Sequence, residues 1–376
     1  MTRLSSTDAL TVCPKSMVYG PCGGVGFDGS CEVDERRCVF LQRAPVPWRP
    51  ASSPAASLPE LPRSAAARRS IELLASRPVV VADFAARALD RDSLDRCADA
   101  LAGSVDVVLA GDSGRSRVQF SPALRAALIQ AHGLPVWSGL NCRDRNRVAL
   151  EGELAALAEV GVFAVHCVTG DHTETGDRPD AQPVFDLDSA RLAALARRYG
   201  HLVSVAEAPL SPPQDGRPAR LVEKERAGAE LCFVNHAGGP VAVARFVEQA
   251  RQAGSLAGFI ACVPVVLDRD SAALLASFTS LVLPDGFLER VLEAADPREE
   301  GIRAAVELSE AMLAVPGVVG VDLSGGRARA GSSTTRSPLP GSVGCWRPES
   351  SRPESSRPET GSAGDRPSSR PARLSA

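Results

Sequence analysis

The sequence predicts an α/β fold, a closed (β/α)8 TIM barrel, carrying a small N-terminal cysteine-rich metal-binding module and a disordered C-terminal tail. Three observations carry this reading. Eight short runs rich in β-branched and apolar residues recur through the middle of the chain. The segments between them place apolar residues at i, i+3, i+4 and i+7 and end in glycine, as amphipathic helices do. The runs themselves are almost continuously apolar, so both faces are buried, which a parallel sheet covered by helices provides. Eight such units over about 250 residues match the rhythm of a barrel. An open doubly wound sheet is the alternative.

In order, the runs are PVVVADF (78–84), VDVVLAG (105–111), PVWSGLN (135–141), FAVHCVTG (163–170), HLVSVAEA (201–208), LCFVNH (231–236), GFIACVPVV (258–266) and VVGVDLSG (318–325). RNRVALEGELAALAEVG and PVAVARFVEQARQAG are the clearest helical segments between them. The flanks differ in composition. Residues 1–40 hold four cysteines, 41–65 form a Pro/Ala/Ser-rich linker, 66–326 form the barrel, and 327–376 carry a short RPESS repeat with little to bury. No helical pattern follows the eighth run, so the last barrel helix is replaced by the tail or by another element.

Composition narrows the function. A net charge of -3 and 44% hydrophobic residues describe a globular protein without a basic face for nucleic acid or membranes. No run nears the ~20 apolar residues of a membrane span, and no secretory core opens the chain, so a cytoplasmic location is expected. Ten cysteines in such a chain read as reduced thiols, some of them metal-binding. Lys and Arg total 42, yet lysine stands only at Lys15 and Lys224. Such positions are candidates for a compact ammonium that Arg's planar fork does not imitate.

In CPKSMVYGPCGGVGFDGSCEV, Cys13, Cys22 and Cys31 fall nine residues apart, with Cys38 following. A disulfide knot conflicts with the compartment, and a phosphate loop lacks its GK[ST] end and a preceding strand. So few apolar groups cannot fold this segment by burial alone; it needs a metal or a host surface. Four thiolates suit structural zinc or an iron–sulfur cluster, and reduced thiols are the third reading. Cys97, Cys142, Cys167, Cys232 and Cys262 read as small packing residues, whereas Cys345 lies in the tail.

A barrel places function at the C-terminal ends of its strands. Those ends collect Asp83, Leu109 to Asp112, Asn141 to Arg145, Thr169 to His172, Glu207, Asn235, His236 and Pro264. The densest are NCRDRNR after the third run and VTGDH after the fourth. In the latter a small residue and a glycine precede a carboxylate, allowing close approach to a bound ring. His166 and His172 flank this end and read as packing or loop residues.

The stretch GLNCRDRNRVALEGELAALAEVGVFAVHCVTGD resembles the methylenetetrahydrofolate reductase family, and the likeness continues through LVEKERAGAELCFVN, GFIACVPV, LVLPDGFLERV and GVVGVDL, covering about residues 78–325. The cysteine segment resembles a module found in or fused to atypical members. The resemblance implies an oxidoreductase that uses NAD(P)H, through FAD, to reduce 5,10-methylenetetrahydrofolate to 5-methyltetrahydrofolate in methionine-directed one-carbon metabolism. It implies Asp83 and Asp171 as catalytic groups, with Thr169, Gly170, Asp171 and Lys224 at the flavin. Asn141, Asp171 and Asn235 would hold folate, and Cys13, Cys22, Cys31 and Cys38 zinc or an iron–sulfur cluster. An electron-donor or methyltransferase partner and self-association also follow from it. A non-catalytic or partner-dependent folate-binding subunit is the alternative.

The sequence departs from the family pattern at several points. The acid of a FEFFPP-like run falls on Asp83, one methylene shorter than the family glutamate. A family threonine falls near Val108, a histidine on Gly139 and an arginine on Thr169. A carboxylate and an amide before the lysine fall on arginines near Arg217 and Arg220. Several flavin contacts of the family are therefore missing, and some relatives are thought to work without bound flavin.

Overall fold

A computed structural model of the chain describes residues 13–50, 61–112, 116–276, 278 and 280–325. The expected tail, and whatever follows the eighth strand, lie outside the described residues. Eight parallel strands close into a barrel in sequence order. They are β1 (Val79–Asp83), β2 (Val107–Ala110), β3 (Val136–Asn141), β4 (Ala164–Val168), β5 (Val203–Glu207), β6 (Leu231–Val234), β7 (Gly258–Pro264) and β8 (Val318–Ser324). Each lies inside one of the eight apolar runs, because continuous apolar, β-branched sequence has no better place than a strand buried on both faces.

Helix α1 (Ala65–Ser76) precedes the barrel, and α2 (Arg91–Leu101) to α7 (Pro240–Gln252) follow successive strands. Local chemistry starts and stops these helices. Ser64 caps α1 by accepting from Ala67 N, and Asn146 caps α4 (Arg147–Val160) by accepting from Ala149 N. Gly161 ends α4 in the left-handed region at φ 72°. The α1 residue Ser70 donates to Phe163 O at 2.8 Å, tying α1 to the N-terminal end of β4. The β7–β8 connection is longer than one helix and holds α8 (Arg269–Ala276), α9 (Phe287–Leu292) and α10 (Pro297–Leu313).

Strand register sorts the interior. Val81 pairs with Val107 and Asp322, Leu109 with Asp83 and Trp137, and Gly139 with His166. Ser204 pairs with His166 and Leu231, Phe233 with Ala206 and Ile260, and Cys262 with Asp322. Register partners in a parallel sheet share a face, and i, i+2 neighbours share it too. The lower interior is apolar, built from Val79, Val81, Val107, Trp137, Leu231 and Ile260. Trp137 meets Phe233 edge-on at 4.9 Å and donates its indole N–H to Ser204 Oγ at 2.9 Å. At Gly139 a Cβ would meet Gly111 Cα at 2.6 Å, so the close approach of β3 to the end of β2 excludes any side chain.

Trp137 is fully buried at the centre of this layer. Trp137→Ala is expected to cost about 3–5 kcal/mol of unfolding free energy through lost transfer energy and a residual cavity. Chemical denaturation checks this; a loss below about 1 kcal/mol would mean that the layer is not close-packed around the indole.

Candidate active site

Above the apolar layer the interior turns polar. A cavity of about 250 Å³ opens at the C-terminal end, lined by Asp83, His166, Asn235, His236, Cys262 and Asp322 among others. Its roof is the chain after α8, including Phe278, Ser280 and Leu281. That segment crosses to the loop after β6, where Gly238 N donates to Val282 O at 2.9 Å and Val282 N donates to His236 O at 3.1 Å. No lysine or arginine lines the cavity among the described residues.

Burial sets the chemistry of these groups. Half-buried Asp83 is pushed up to about 7 by desolvation. Asp322 is raised well above the carboxylate range by burial and then by Asp83 beside it. Burial, assisted by Lys224, pushes His166 down to about 3, and burial alone pushes His236 down to about 4, so both imidazoles are neutral. His166 Nδ1 is 2.9 Å from Ser204 Oγ, and His236 Nε2 is 2.7 Å from Ser324 Oγ.

The expected folate and flavin residues divide between this cavity and its rim. Asp83 and Asn235 line the cavity. Asn141 sits at the end of β3, where its amide donates to Asp112 and accepts from Arg143 N at 2.9 Å. Gly170 adopts φ +88°, and a Cβ there would press on Asn141 Cβ at 3.0 Å, so this strand end requires glycine. Asp171 is exposed on the rim, 3.9 Å from Arg117 Nη1. Thr169 is buried; its hydroxyl accepts from Ser189 N at 3.2 Å and lies 3.4 Å from Met17 Sδ. Lys224 stands apart from these residues. Its ammonium is 2.5 Å from Glu207 Oε1 and donates to Ala206 O at 2.6 Å, buried between α6 (Arg217–Ala227) and β5.

The cysteine segment covers this rim. Backbone pairing between Val25 and Cys31 and between Ser30 and Arg37 folds it into a small antiparallel turn. Its Glu32 accepts from His172 N at 2.9 Å, Val25 O accepts from Ser211 Oγ at 2.8 Å, and Gly23 O accepts from Ser280 Oγ at 3.1 Å. Arg217 Nη1 donates to Cys22 O at 3.0 Å while its Nε donates to Ser211 O at 2.9 Å. Arg220 lies beneath Gly20, where a Cβ would meet its Cδ at 2.8 Å. The arginines that replace the family's carboxylate and amide thus face the module.

Lys15 pairs with Glu32, the two side chains only 4% and 8% exposed. Burial opposes its charge, but Cys22, Glu32 and Asp171 together carry its pKa above the usual value. Both lysines of the chain are therefore buried ammonium groups held by a single glutamate, where a compact charge fits and a guanidinium fork does not.

The expected phosphate lysine is spent on Glu207, the Thr169 hydroxyl is spent under the module, and Gly139 leaves no room for the family histidine. These residues do not make the lysine, hydroxyl and histidine contacts that the resemblance implies for a bound FAD. The cysteines fit a metal group better. Cys13, Cys22, Cys31 and Cys38 line one small cavity of about 20 Å³ together with Lys15, Arg36 and Arg37. Fully buried Arg220 makes no hydrogen bond at any of its three nitrogens among the described residues; the Asp188 and Glu207 carboxylates offset its charge, with Cys22 a lesser neighbour. Among the described residues no three Cys, His, Asp or Glu side chains stand around a single point.

The fold and this polar strand-end cavity define an α/β-barrel protein with its site at the C-terminal face. A family profile described as methylenetetrahydrofolate reductase matches residues 88–323, and the chain belongs to that family. A second profile, described as methylene-tetrahydrofolate reductase C terminal, matches residues 3–45, the cysteine segment. No curated protein matches the chain in sequence. Among solved structures, an uncharacterized protein from Clostridium thermocellum that binds two copies of 5-methyl-5,6,7,8-tetrahydrofolic acid aligns at TM-score 0.52 and 8% identity. The alignment covers 73% of this chain and 96% of that one. Oxaloacetate acetylhydrolase aligns at TM-score 0.44 and 12% identity over 69% and 79% of the two chains. At these identities the likeness is one of fold.

Sequence reading collected His236 at a strand end but missed Asp322 and took Cys262 for a packing residue, although both line the cavity. A signal was present in VVGVDLSG, where an aspartate two residues from a serine interrupts an apolar strand at inward register. For the cysteine segment, elemental analysis of anaerobically purified protein is expected to find about one zinc, or one iron–sulfur cluster, per chain. Cys31→Ser is expected to lose it and lower the melting temperature. Metal-free protein with the same melting temperature as Cys31→Ser would show that the thiols serve only packing.

Proposed function

We propose that the protein reduces 5,10-methylenetetrahydrofolate to 5-methyltetrahydrofolate by hydride transfer directly from NAD(P)H, without a resident flavin. The observation that carries this is the cation-free strand-end cavity, which holds Asp83 beside Asn235 in a member of the reductase family. A carboxyl raised to about 7 keeps a large protonated fraction at neutral pH, as a general acid requires. The neighbour that binds 5-methyltetrahydrofolic acid on a similar barrel supports a folate ligand.

In this reading the pterin enters the cavity. Asp83 gives its proton to N10 as the N10–methylene bond opens, leaving an N5 iminium. Hydride from the reduced nicotinamide adds to the methylene carbon and forms the N5-methyl group, and NAD(P)+ leaves. One proton and one hydride are consumed per turnover. Asn235, half-buried at the end of β6, offers the pterin a donor and an acceptor. Asp171 and Asn141 at the rim would hold the rest of the folate. The module, with zinc or a cluster on Cys13, Cys22, Cys31 and Cys38, would close the rim against water. Bound metal would tie the module's loops together.

Purified protein given NAD(P)H and 5,10-methylenetetrahydrofolate is expected to form 5-methyltetrahydrofolate, followed by chromatography. Asp83→Asn should lower kcat/KM by about 10²–10⁴-fold while folate still binds. Folate binding with no turnover in the wild-type protein would instead favour a non-catalytic folate-binding subunit.

A further inference from the structure

Asp322 has no part in the proposed proton transfer, yet it is one of the most constrained groups in the molecule. It stands on β8, pairs in register with Val81 of β1 and Cys262 of β7, and is 2% exposed. Because Val81 and Asp83 share a face, the Asp322 and Asp83 carboxyls project into the same cavity from adjacent strands. The Cys262 thiol lies 3.7 Å from Asp322 Oδ2, and Oδ1 has no hydrogen-bond partner.

We propose that Asp322 is a positioning residue that shares one proton with Asp83 across the cavity between β8 and β1. This rests on the reading of Asp83 as the acid. The titratable groups facing the pair are Cys262 from β7, His166 from β4 and His236 from the loop after β6. All three are neutral, the thiol raised and the imidazoles lowered by burial. With no lysine or arginine lining the cavity among the described residues, two adjacent carboxylates have no lining cation to offset their charge. Like charges at such a site cannot both ionise, and the protons leave in two steps that belong to the pair. The first step falls at about 7, and burial together with the Asp83 charge places the second well above the carboxylate range.

The pair also carries a stability signature. Its folded pKa values are raised, so the folded state binds more protons than the unfolded chain above the ordinary carboxylate pKa. Stability contributed by the pair is present at low pH and falls as pH rises through about 7.

The test has an arm that does not depend on turnover. Infrared spectra of the wild-type protein at pH 8 are expected to show the carbonyl band of a buried protonated carboxyl, absent in Asp322→Asn. Its absence from the wild-type spectrum overturns the proposal, even if the variant fails to fold. In the second arm, wild-type kcat/KM should hold above pH 7, whereas Asp322→Asn should lose about tenfold per pH unit there, leaving Asp83 to titrate alone. Superimposable profiles overturn the proposal. A wild-type protein that shows the band but never turns over folate retains the shared proton and sinks the reductase reading instead.

Discussion

Closure of the parallel sheet is the constraint on which the rest depends. Once eight strands close in sequence order, alternate residues of every strand must point inward, and nothing can be moved off the interior without breaking register. Below, this forces Val81, Val107, Trp137 and Ile260 into one apolar layer. Above, the same alternation sends Asp83, His166, Cys262 and Asp322 into a space of about 250 Å³ that no lysine or arginine lines among the described residues. The acidity of that space follows from the fold: carboxyls placed where water is scarce and countercharge is missing hold their protons.

A second consequence concerns what covers the mouth. In this chain the cysteine module rests on Thr169 and on two arginines at positions where the sequence departs from the family pattern. Arg217 binds the carbonyl of Cys22, Arg220 lies under Gly20, and Thr169 packs against Met17. Lys224 is withdrawn to Glu207 behind β5. The buried Lys15–Glu32 pair, with His172 N donating to the same carboxylate, is the centre of that docking. Removing one partner of such a buried pair typically costs about 3–5 kcal/mol, more than most single contacts.

Much of this was legible in the sequence. All eight strands lay within apolar runs, because burial on both faces writes itself into consecutive residues. Asp83 and Asn235 were legible as polar groups ending such runs. The docking of the module was not, since Glu32 and His172 are 140 residues apart and neither carries a local sign of the other. Lys224 was legible as an unusual lysine, but its partner depends on how α6 packs against β5, and helix packing leaves no mark on spacing. Asp322 escaped because one aspartate in an apolar strand gains its meaning only from Asp83 on the neighbouring strand.

The claim that hydride passes directly from nicotinamide to folate is tested most directly by isotope. NAD(P)H deuterated at its hydride-bearing carbon is supplied with 5,10-methylenetetrahydrofolate, and the product is analysed by mass spectrometry. The account predicts one deuterium in the methyl group of 5-methyltetrahydrofolate, retained in full when turnover is slow. Methyl groups that carry solvent hydrogen instead would contradict it, because a flavin intermediary exchanges its hydrogen with water before passing it on.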